Sequence, residues 1–117
     1  YLPETRPDCM IYRLWHEGAE LRKDCAGIPY PQGEEASKPP AMVVAPCVGY
    51  AESCRRLGYG GGYFDRYLAS YGNQRPLAVG VAFDELRVPE EIFESFDEPL
   101  DAVVTERRII LKATAPL

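Results

Sequence analysis

Residues 56–66 place an arginine, a run of glycines and a carboxylate within one short segment. Four of the five positions after Leu57 are glycine, namely Gly58, Gly60, Gly61 and Gly62. Glycine reaches positive φ at little cost, and its uncovered N–H groups can curl around an anion. Arg56 would add a fixed cation, and Asp65 would supply the hard oxygen ligand that Mg²⁺ prefers. The segment therefore predicts a site for a polyphosphate.

The residues after this glycine loop predict a short helix. Its apolar positions recur at helical spacing and Gly72 stands where a C-cap glycine would, the stripe being Tyr63, Phe64, Tyr67, Leu68 and Tyr71. The N-terminus of such a helix carries unpaired N–H groups and the positive end of the helix dipole, which favour a phosphate. The stripe itself is more typical of a packed core than of a platform for a flat ligand.

Two common glycine-loop motifs do not fit. A Walker A loop needs Lys and then Ser or Thr after its last glycine, whereas Gly62 is followed by Tyr63 and Phe64. A dinucleotide fingerprint would need Gly or Ala at position 63, which is Tyr63. A glycine-rich turn that binds no ligand remains the alternative.

The sequence around the glycine loop predicts alternating strands and helices. Residues 10–15 predict a strand, and the proline-rich stretch 17–40 predicts mainly loop. Three short apolar runs without alternation then predict parallel strands buried on both faces, at 41–45, 77–83 and 102–105. With helices after the glycine loop and at 89–96, the pattern predicts a three-layer α/β domain in which a mainly parallel sheet is flanked by helices.

Composition narrows the possible partners. Thirteen Lys and Arg against 18 Asp and Glu give a net charge of −5, and no basic run occurs. Nucleic acid and anionic membranes are therefore poor partners. The 117 residues suit one domain, and no apolar run approaches the length of a membrane span. We expect a cytoplasmic protein.

The cysteines do not predict a metal site. Cys9, Cys25, Cys47 and Cys54 form no CxxC pair, and His16 is the only histidine. Reduced, packed thiols are the expectation for a chain this poor in cysteine. Cys54 adjoins two arginines, which would lower its pKa if it were exposed; alternatively, it is a small residue in place of a glycine. We also expect Trp15 to be buried, and the pairs Arg107–Arg108 and Glu34–Glu35 to be solvated.

The glycine segment resembles the signature R-L-G-x-G-x-G-Y-[YF]-D-[RK] of the 5-formyltetrahydrofolate cyclo-ligase (methenyltetrahydrofolate synthetase) family. Four further segments resemble this family in the same order and spacing: Gly27-Ile28-Pro29-Tyr30-Pro31, residues 42–46, residues 79–83 and residues 97–106. The resemblance covers nearly the whole chain.

The chain also departs from the family pattern. Ala51 replaces an acid and Cys54 a glycine before the signature, and Leu86 replaces a glutamine after the 79–83 strand. Tyr1 aligns with an internal strand, so roughly the first third of a family member is unmatched, including a basic helix whose Lys and Arg contact ATP. We expect a single domain over residues 1–117, incomplete at its N-terminus, from either a longer protein or a shortened homologue.

The resemblance implies ATP-dependent closure of 5-formyltetrahydrofolate to 5,10-methenyltetrahydrofolate, with ATP, Mg²⁺ and a reduced folate as small-molecule partners and a monomer at full length. It assigns Arg56 and the loop backbone to phosphates, Tyr63 to folate and nucleotide, and Asp65 and Asp97 to Mg²⁺. The loop positions in this set are Gly58, Tyr59, Gly60, Gly61 and Gly62.

Purely structural roles remain as alternatives to the metal-binding assignments. Asp65 is also typical of an acid in a helix first turn, and Asp97 of a turn residue before Pro99. The competing function is a non-catalytic member or fragment that keeps the scaffold and weak nucleotide or anion binding. Nothing specific in the sequence supports a pure interaction module.

Overall fold

The computed structural model describes residues 1–58, 62–94, 97 and 99–112. These residues fold into two compact units, one of residues 1–41 and 63–76 and the other of the described residues in 42–62 and 77–112. The elements in chain order are β1 (Leu2–Thr5), β2 (Met10–Arg13), β3 (Leu21–Lys23), β4 (Pro29–Pro31), β5 (Met42–Pro46), β6 (Gly49–Tyr50), β7 (Arg56–Leu57), α1 (Tyr63–Ala69), β8 (Leu77–Val81), β9 (Ala102–Val104) and β10 (Ile109–Leu111).

The first unit is built from two antiparallel hairpins. β1 pairs with β2 and β3 pairs with β4, so the stretch expected to be loop contains one short hairpin. Asp24 connects the two hairpins: its carboxylate accepts hydrogen bonds from the backbone N–H groups of Thr5 at 2.8 Å and of Ala26 and Ile28 at 2.9 Å. Burial opposes ionisation of this carboxyl, but these bonds outweigh it and lower its pKa.

Helix α1 confirms the helix predicted after the glycine loop, and it packs on β2. The rings of Tyr12 and Tyr67 meet edge to face with centroids 5.0 Å apart, and Tyr67 meets Tyr71 in the same way at 5.2 Å. Leu68 is buried. Part of the aromatic stripe therefore packs against β2, although its aromatic residues are only partly buried. Trp15 is 45% exposed, and its predicted burial is wrong.

The second unit is organised by a four-stranded sheet in the order β10-β9-β8-β5. β5 pairs parallel with β8, β8 pairs parallel with β9, and β10 adds an antiparallel edge strand to β9. The three predicted strands are adjacent and parallel, as expected, but β5 lies at the edge of the described sheet and not at its centre. Their carboxyl ends meet at one edge of the sheet, which is where open α/β sheets bind ligands.

One face of this sheet carries the core of the unit. Val43, Ala45, Ala78, Gly80 and Val103 all point to this face and are buried. A Cβ on Gly80 would lie 2.8 Å from both the Cys47 sulfur and the Leu100 side chain, so the close packing requires glycine there. The other face is largely exposed. The expectation that the strands are buried on both faces is therefore wrong for these residues.

The flanking helices expected on the sheet are also incorrect in part. Among the described residues α1 is the single α-helix, and the helix predicted at 89–96 is a 3-10 turn over Glu90–Ile92. Pro89 fixes an extended entry to this turn and Phe93 is again extended, so a single turn forms within residues 89–94. Residues 95 and 96 of the predicted helix lie outside the described part of the chain. The fold is a mixed α/β arrangement with a mostly parallel sheet.

A tight ribbon leads from the sheet to the glycine loop. β6 pairs antiparallel with β7, and the turn between them contains Cys54, which has φ +69° and no exposed surface. Among the described residues other than glycine, it alone has a positive φ. This backbone conformation explains why the family pattern has glycine at this position, and it supports the interpretation of Cys54 as a replacement for glycine.

We predict that the usual order of alanine and glycine is inverted at position 54. Cys54→Gly should leave the protein about 1 kcal/mol more stable than Cys54→Ala, because both lose the thiol but only glycine is free of the left-handed strain. Cys47 is buried at an ordinary φ, so there the free energy of unfolding of Cys47→Ala should exceed that of Cys47→Gly by about 0.5–1 kcal/mol. Urea unfolding of the four variants measures both differences; an Ala variant that is the more stable at both positions would contradict the strain argument.

Candidate functional site

Arg56 lies at the carboxyl end of β5. Its Nη2 donates a 2.7 Å hydrogen bond to the carbonyl oxygen of Pro46, the last residue of that strand. A Cβ on Gly58 would lie 2.7 Å from the same nitrogen, so the guanidinium lies directly against the backbone at the entry to the glycine loop. The predicted phosphate cation and the first loop glycine are therefore in contact.

Arg55 binds Asp97, another residue predicted for the site. The sequence analysis did not predict this contact. Its Nε donates a 2.8 Å hydrogen bond to the backbone carbonyl of Asp97. The N–H of Leu100 donates to the Cys54 carbonyl at 2.8 Å, which ties the same segment to the turn a second time. Asp97 is therefore held by the residue next to Arg56. An arginine side chain that binds a backbone carbonyl leaves no pattern in a single sequence.

The carboxylate of Asp97 is partly used in its own turn. Its Oδ2 accepts a 2.7 Å hydrogen bond from the N–H of Glu94, while its own N–H donates to the Glu94 carbonyl at 3.0 Å. Asp97 therefore acts as a turn residue, which the sequence analysis gave as the alternative to a metal ligand. The second oxygen makes no hydrogen bond or ion pair with a described residue, so it is free to act as a ligand.

The remaining predicted residues follow the loop. Gly62 has φ +68°, which explains a glycine immediately before α1. Tyr63 begins this helix, and the Arg66 guanidinium lies 4.9 Å from the centre of its ring. Asp65 is exposed in the first turn, and its carboxylate makes no hydrogen bond or ion pair with a described residue.

These residues divide between the two units. Arg56, Gly58, Gly62 and Asp97 belong to the sheet unit, and Tyr63 and Asp65 to the other. The convergence of the two aspartates on one metal ion thus stays a prediction. Three of the predicted loop residues lie outside the described part of the chain: Tyr59, Gly60 and Gly61.

The sequence analysis did not predict a cluster of polar side chains that lies at the same edge of the sheet. We call it the carboxyl-edge cluster, and it consists of Tyr50, Glu52, Asp84, Thr105 and Arg108. Asp84 follows β8 and Thr105 follows β9, and the Thr105 hydroxyl donates to Asp84 Oδ1 at 3.0 Å. Arg108 donates from Nε to the same oxygen at 2.8 Å and from Nη2 to Glu52 at 2.8 Å and to the Tyr50 hydroxyl at 3.1 Å.

The cluster corrects the expectation that Arg108 is a solvated surface residue. Its hydrogen bonds hold the pKa values of Asp84 and Glu52 below their usual range, and Asp84 in turn raises the pKa of Arg108. Arg107 and the glutamates at 34 and 35 are exposed, as expected. The available signal was a polar side chain within three residues after each of two neighbouring parallel strands.

The thiols are free, as predicted, and their placement argues against a reactive cysteine at this turn. Cys9 and Cys25 are exposed, whereas Cys47 and Cys54 are buried, so the expectation of packed thiols holds for only two of the four. Cys54 is not exposed, so the condition for a lowered pKa is not met, and burial raises the pKa of its thiol. Burial also raises the pKa of Cys47, although the nearby Arg56 opposes that effect.

The first unit contains a small open cavity of about 120 Å³ between β2, α1 and residues 35–36. Three of its eight lining residues are tyrosines, and it contains none of the residues predicted for the site. Within the described ranges, no group of three or more His, Cys, Asp or Glu side chains could hold a metal. No described helix is long and apolar enough to cross a bilayer.

Comparison with known proteins agrees with the signature residues. A sequence profile described as the 5-formyltetrahydrofolate cyclo-ligase family matches residues 1–106. The chain belongs to this family. Over 116 residues it is 30% identical to the 5-formyltetrahydrofolate cyclo-ligase of Escherichia coli K12, covering 93% of this chain and 64% of that protein. A probable cyclo-ligase of Schizosaccharomyces pombe is 27% identical over 115 residues, covering 86% of this chain and 56% of the relative.

A solved cyclo-ligase structure supports the fold. The NMR structure of 5,10-methenyltetrahydrofolate synthetase from Aquifex aeolicus superposes with a TM-score of 0.74 at 27% identity and covers 98% of this chain and 59% of that protein. The chain therefore spans about six-tenths of the length of the family members that it matches.

We predict that the carboxyl-edge cluster stabilises the fold only while its carboxylates are ionised. Arg108→Gln should lower the free energy of unfolding at pH 7. Because the folded-state pKa values of Asp84 and Glu52 are lowered, the contribution is present above the ordinary carboxyl pKa of about 4 and is lost as pH falls through the lowered values.

Unfolding of wild type and Arg108→Gln from pH 7 to pH 2 measures this difference. Arg107→Gln, at the exposed neighbouring position, is the matched control and should stay close to wild type throughout. A difference between Arg108→Gln and wild type that persists unchanged at the lowest pH would rule out the ion pairs as its source.

Proposed function

We propose that the protein to which this chain belongs converts 5-formyltetrahydrofolate to 5,10-methenyltetrahydrofolate at the expense of ATP. The support is the family membership together with one structural observation. Arg56 and the glycine-loop entry lie at the carboxyl end of a parallel sheet, and Arg55, the neighbour of Arg56, holds the backbone of Asp97. A cation, an open backbone and a carboxylate are what a magnesium-bound triphosphate requires.

In the proposed reaction, the formyl oxygen attacks the γ-phosphorus and ADP leaves, which produces a phosphorylated formyl group. N10 of the folate then attacks the formyl carbon, its proton passes to solvent and inorganic phosphate departs with the former formyl oxygen. Such steps depend on positioning and charge stabilisation rather than on strong acids and bases. Arg56 would stabilise charge on the transferred phosphoryl group, the loop N–H groups would hold the phosphates, and Tyr63 would contact the folate.

The donor atoms on this chain fit a magnesium ion that is mostly held by its nucleotide. One carboxylate oxygen of Asp97 makes no hydrogen bond or ion pair with a described residue, and Asp65 is exposed without such a partner among the described residues. Mg²⁺ is commonly bound through one or two carboxylates, with phosphates and water as its other ligands. When bound, the ion would neutralise charge on the phosphates.

A second candidate is a non-catalytic scaffold that retains weak nucleotide or anion binding. The observation that favours it is length, since the chain spans 64% of the Escherichia coli relative. The resemblance places ATP-binding cations of the family in the part that this chain does not match. Ala51 also stands where the family pattern has an acid.

We predict that the two proposed ligands can be recognised by their magnesium dependence. In the protein at its encoded length, Asp65→Asn and Asp97→Asn should each raise the Mg²⁺ concentration for half-maximal turnover at least tenfold, about 1.4 kcal/mol of lost binding. The absorbance of the methenyl product follows turnover. Asp8→Asn, at an exposed position, should leave the dependence unchanged. Normal magnesium dependence in either ligand variant would remove that residue from the site.

We further predict that residues 1–117 alone bind MgATP weakly or not at all and show no cyclo-ligase activity. A charge-assisted phosphate contact contributes about 1.5–3 kcal/mol, so two missing contacts weaken binding by roughly two to four decades. Calorimetric titration with MgATP tests this, and Arg56→Gln should abolish any residual heat. Micromolar affinity would show that the loop and Arg56 suffice. Absence of turnover by the encoded-length protein would favour the scaffold.

A further inference from the structure

Two hydrogen bonds attach the turn that carries Asp97 to the segment just before the glycine loop. The N–H of Leu100 donates to the carbonyl of Cys54 at 2.8 Å, and both residues are buried. The Nε of Arg55 donates to the carbonyl of Asp97 itself, also at 2.8 Å. The first bond belongs to the core of the sheet unit. The second comes from a half-buried side chain and reaches the residue proposed to bind Mg²⁺.

The other hydrogen bonds of Asp97 stay within its own turn. Its N–H donates to the Glu94 carbonyl at 3.0 Å, and its Oδ2 accepts from the Glu94 N–H at 2.7 Å. These two bonds shape the turn, but they would move with it. Among the described residues, Arg55 alone reaches Asp97 from outside the turn, so this bond fixes where the carboxylate lies relative to the loop entry.

Arg55 uses only its Nε for this contact. Its two terminal nitrogens make no hydrogen bond or ion pair with any residue in the described part of the chain. The bond therefore needs an N–H donor at the right distance from the backbone, and it does not need the positive charge. The adjacent Arg56 binds the Pro46 carbonyl at the end of β5. Together the two arginines connect the loop entry to the end of one strand and to the turn before β9.

We propose that Arg55 is a positioning residue that holds the carboxylate of Asp97 at a fixed place relative to Arg56 and the glycine loop. This rests on the proposed function, in which Asp97 binds Mg²⁺ and Arg56 binds phosphate. Mg²⁺ demands near-ideal octahedral geometry, so a displaced carboxylate binds it less well even when its chemistry is intact. Residues that orient a metal ligand without touching the metal act in this way. Arg55 itself touches neither the ion nor the nucleotide.

Two substitutions separate the hydrogen bond from the charge. Gln places an N–H donor the same number of bonds from Cα as Arg Nε, whereas Met has a similar length and no donor. Both remove the positive charge. If Arg55 acts through its hydrogen bond, Arg55→Gln should behave like wild type and Arg55→Met should not.

Amide hydrogen exchange, measured by NMR without metal or nucleotide in the protein at its encoded length, reports the position of the turn directly. In Arg55→Met, the Asp97 amide should exchange roughly fivefold faster than in wild type, as expected when one hydrogen bond of about 1 kcal/mol is lost. In Arg55→Gln it should stay within about twofold of wild type. The Leu100 amide, which is bound to Cys54, should stay protected in both variants and so shows that the fold is intact.

The magnesium dependence of turnover should follow the same order. Arg55→Met should raise the Mg²⁺ concentration for half-maximal turnover roughly fivefold, and Arg55→Gln should leave it within about twofold of wild type. Because Arg55 acts through Asp97, Arg55→Met should add little to the effect of Asp97→Asn. Arg107→Met, a matched change at an exposed arginine, should leave both the exchange and the magnesium dependence unchanged.

The outcomes distinguish this proposal from the proposed function. Normal magnesium dependence in Arg55→Met, alongside wild-type turnover and an impaired Asp97→Asn, would overturn the role of Arg55 and leave the function standing. Equal impairment of Arg55→Gln and Arg55→Met would show that the charge acts on the ligand itself, and would overturn the positioning role. Absence of methenyl product from the wild-type protein would remove the proposed function, and this proposal with it.

Discussion

The parallel pairing of β5 with β8 and of β8 with β9 decides where everything else in the sheet unit lies. It brings three carboxyl ends to one edge, so the residues that follow each strand become neighbours although tens of residues separate them in sequence. The pairing itself depends on small side chains on the core face. Gly80 allows Cys47 and Leu100 to pack at distances that a Cβ would not permit.

Two polar arrangements share this edge, and they differ in what their charges do. In the carboxyl-edge cluster, Arg108 satisfies Asp84, Glu52 and Tyr50, so its charge serves to hold the ends of the strands together. At the glycine-loop entry, Arg56 and Arg55 each donate a hydrogen bond to a backbone carbonyl, that of Pro46 and that of Asp97. These bonds fix the orientation of the two guanidinium groups.

The turn at Cys54 links fold and site most directly. The Cys54 carbonyl accepts a hydrogen bond from the N–H of Leu100, and the next residue, Arg55, donates one to the carbonyl of Asp97. The left-handed backbone of Cys54 turns the chain into β7. A cysteine in that conformation retains the geometry at the cost of backbone strain that glycine would not carry. The family-like architecture thus survives a substitution at one of its tightest points.

The sequence by itself determined the family, the three parallel strands, the helix after the loop and the identity of Arg56 as a candidate cation, because glycine spacing and apolar runs are local patterns. Only the tertiary structure decided that Arg55 holds Asp97, that Arg108 joins the carboxyl-edge cluster and that one face of the sheet is open. Those depend on which side chains meet across distant segments, and apolar strands read alike whether one face or both are covered. The helix predicted from Pro89 onward was wrong because the backbone is extended at both Pro89 and Phe93. A single turn between them is too short to sustain an α-helix.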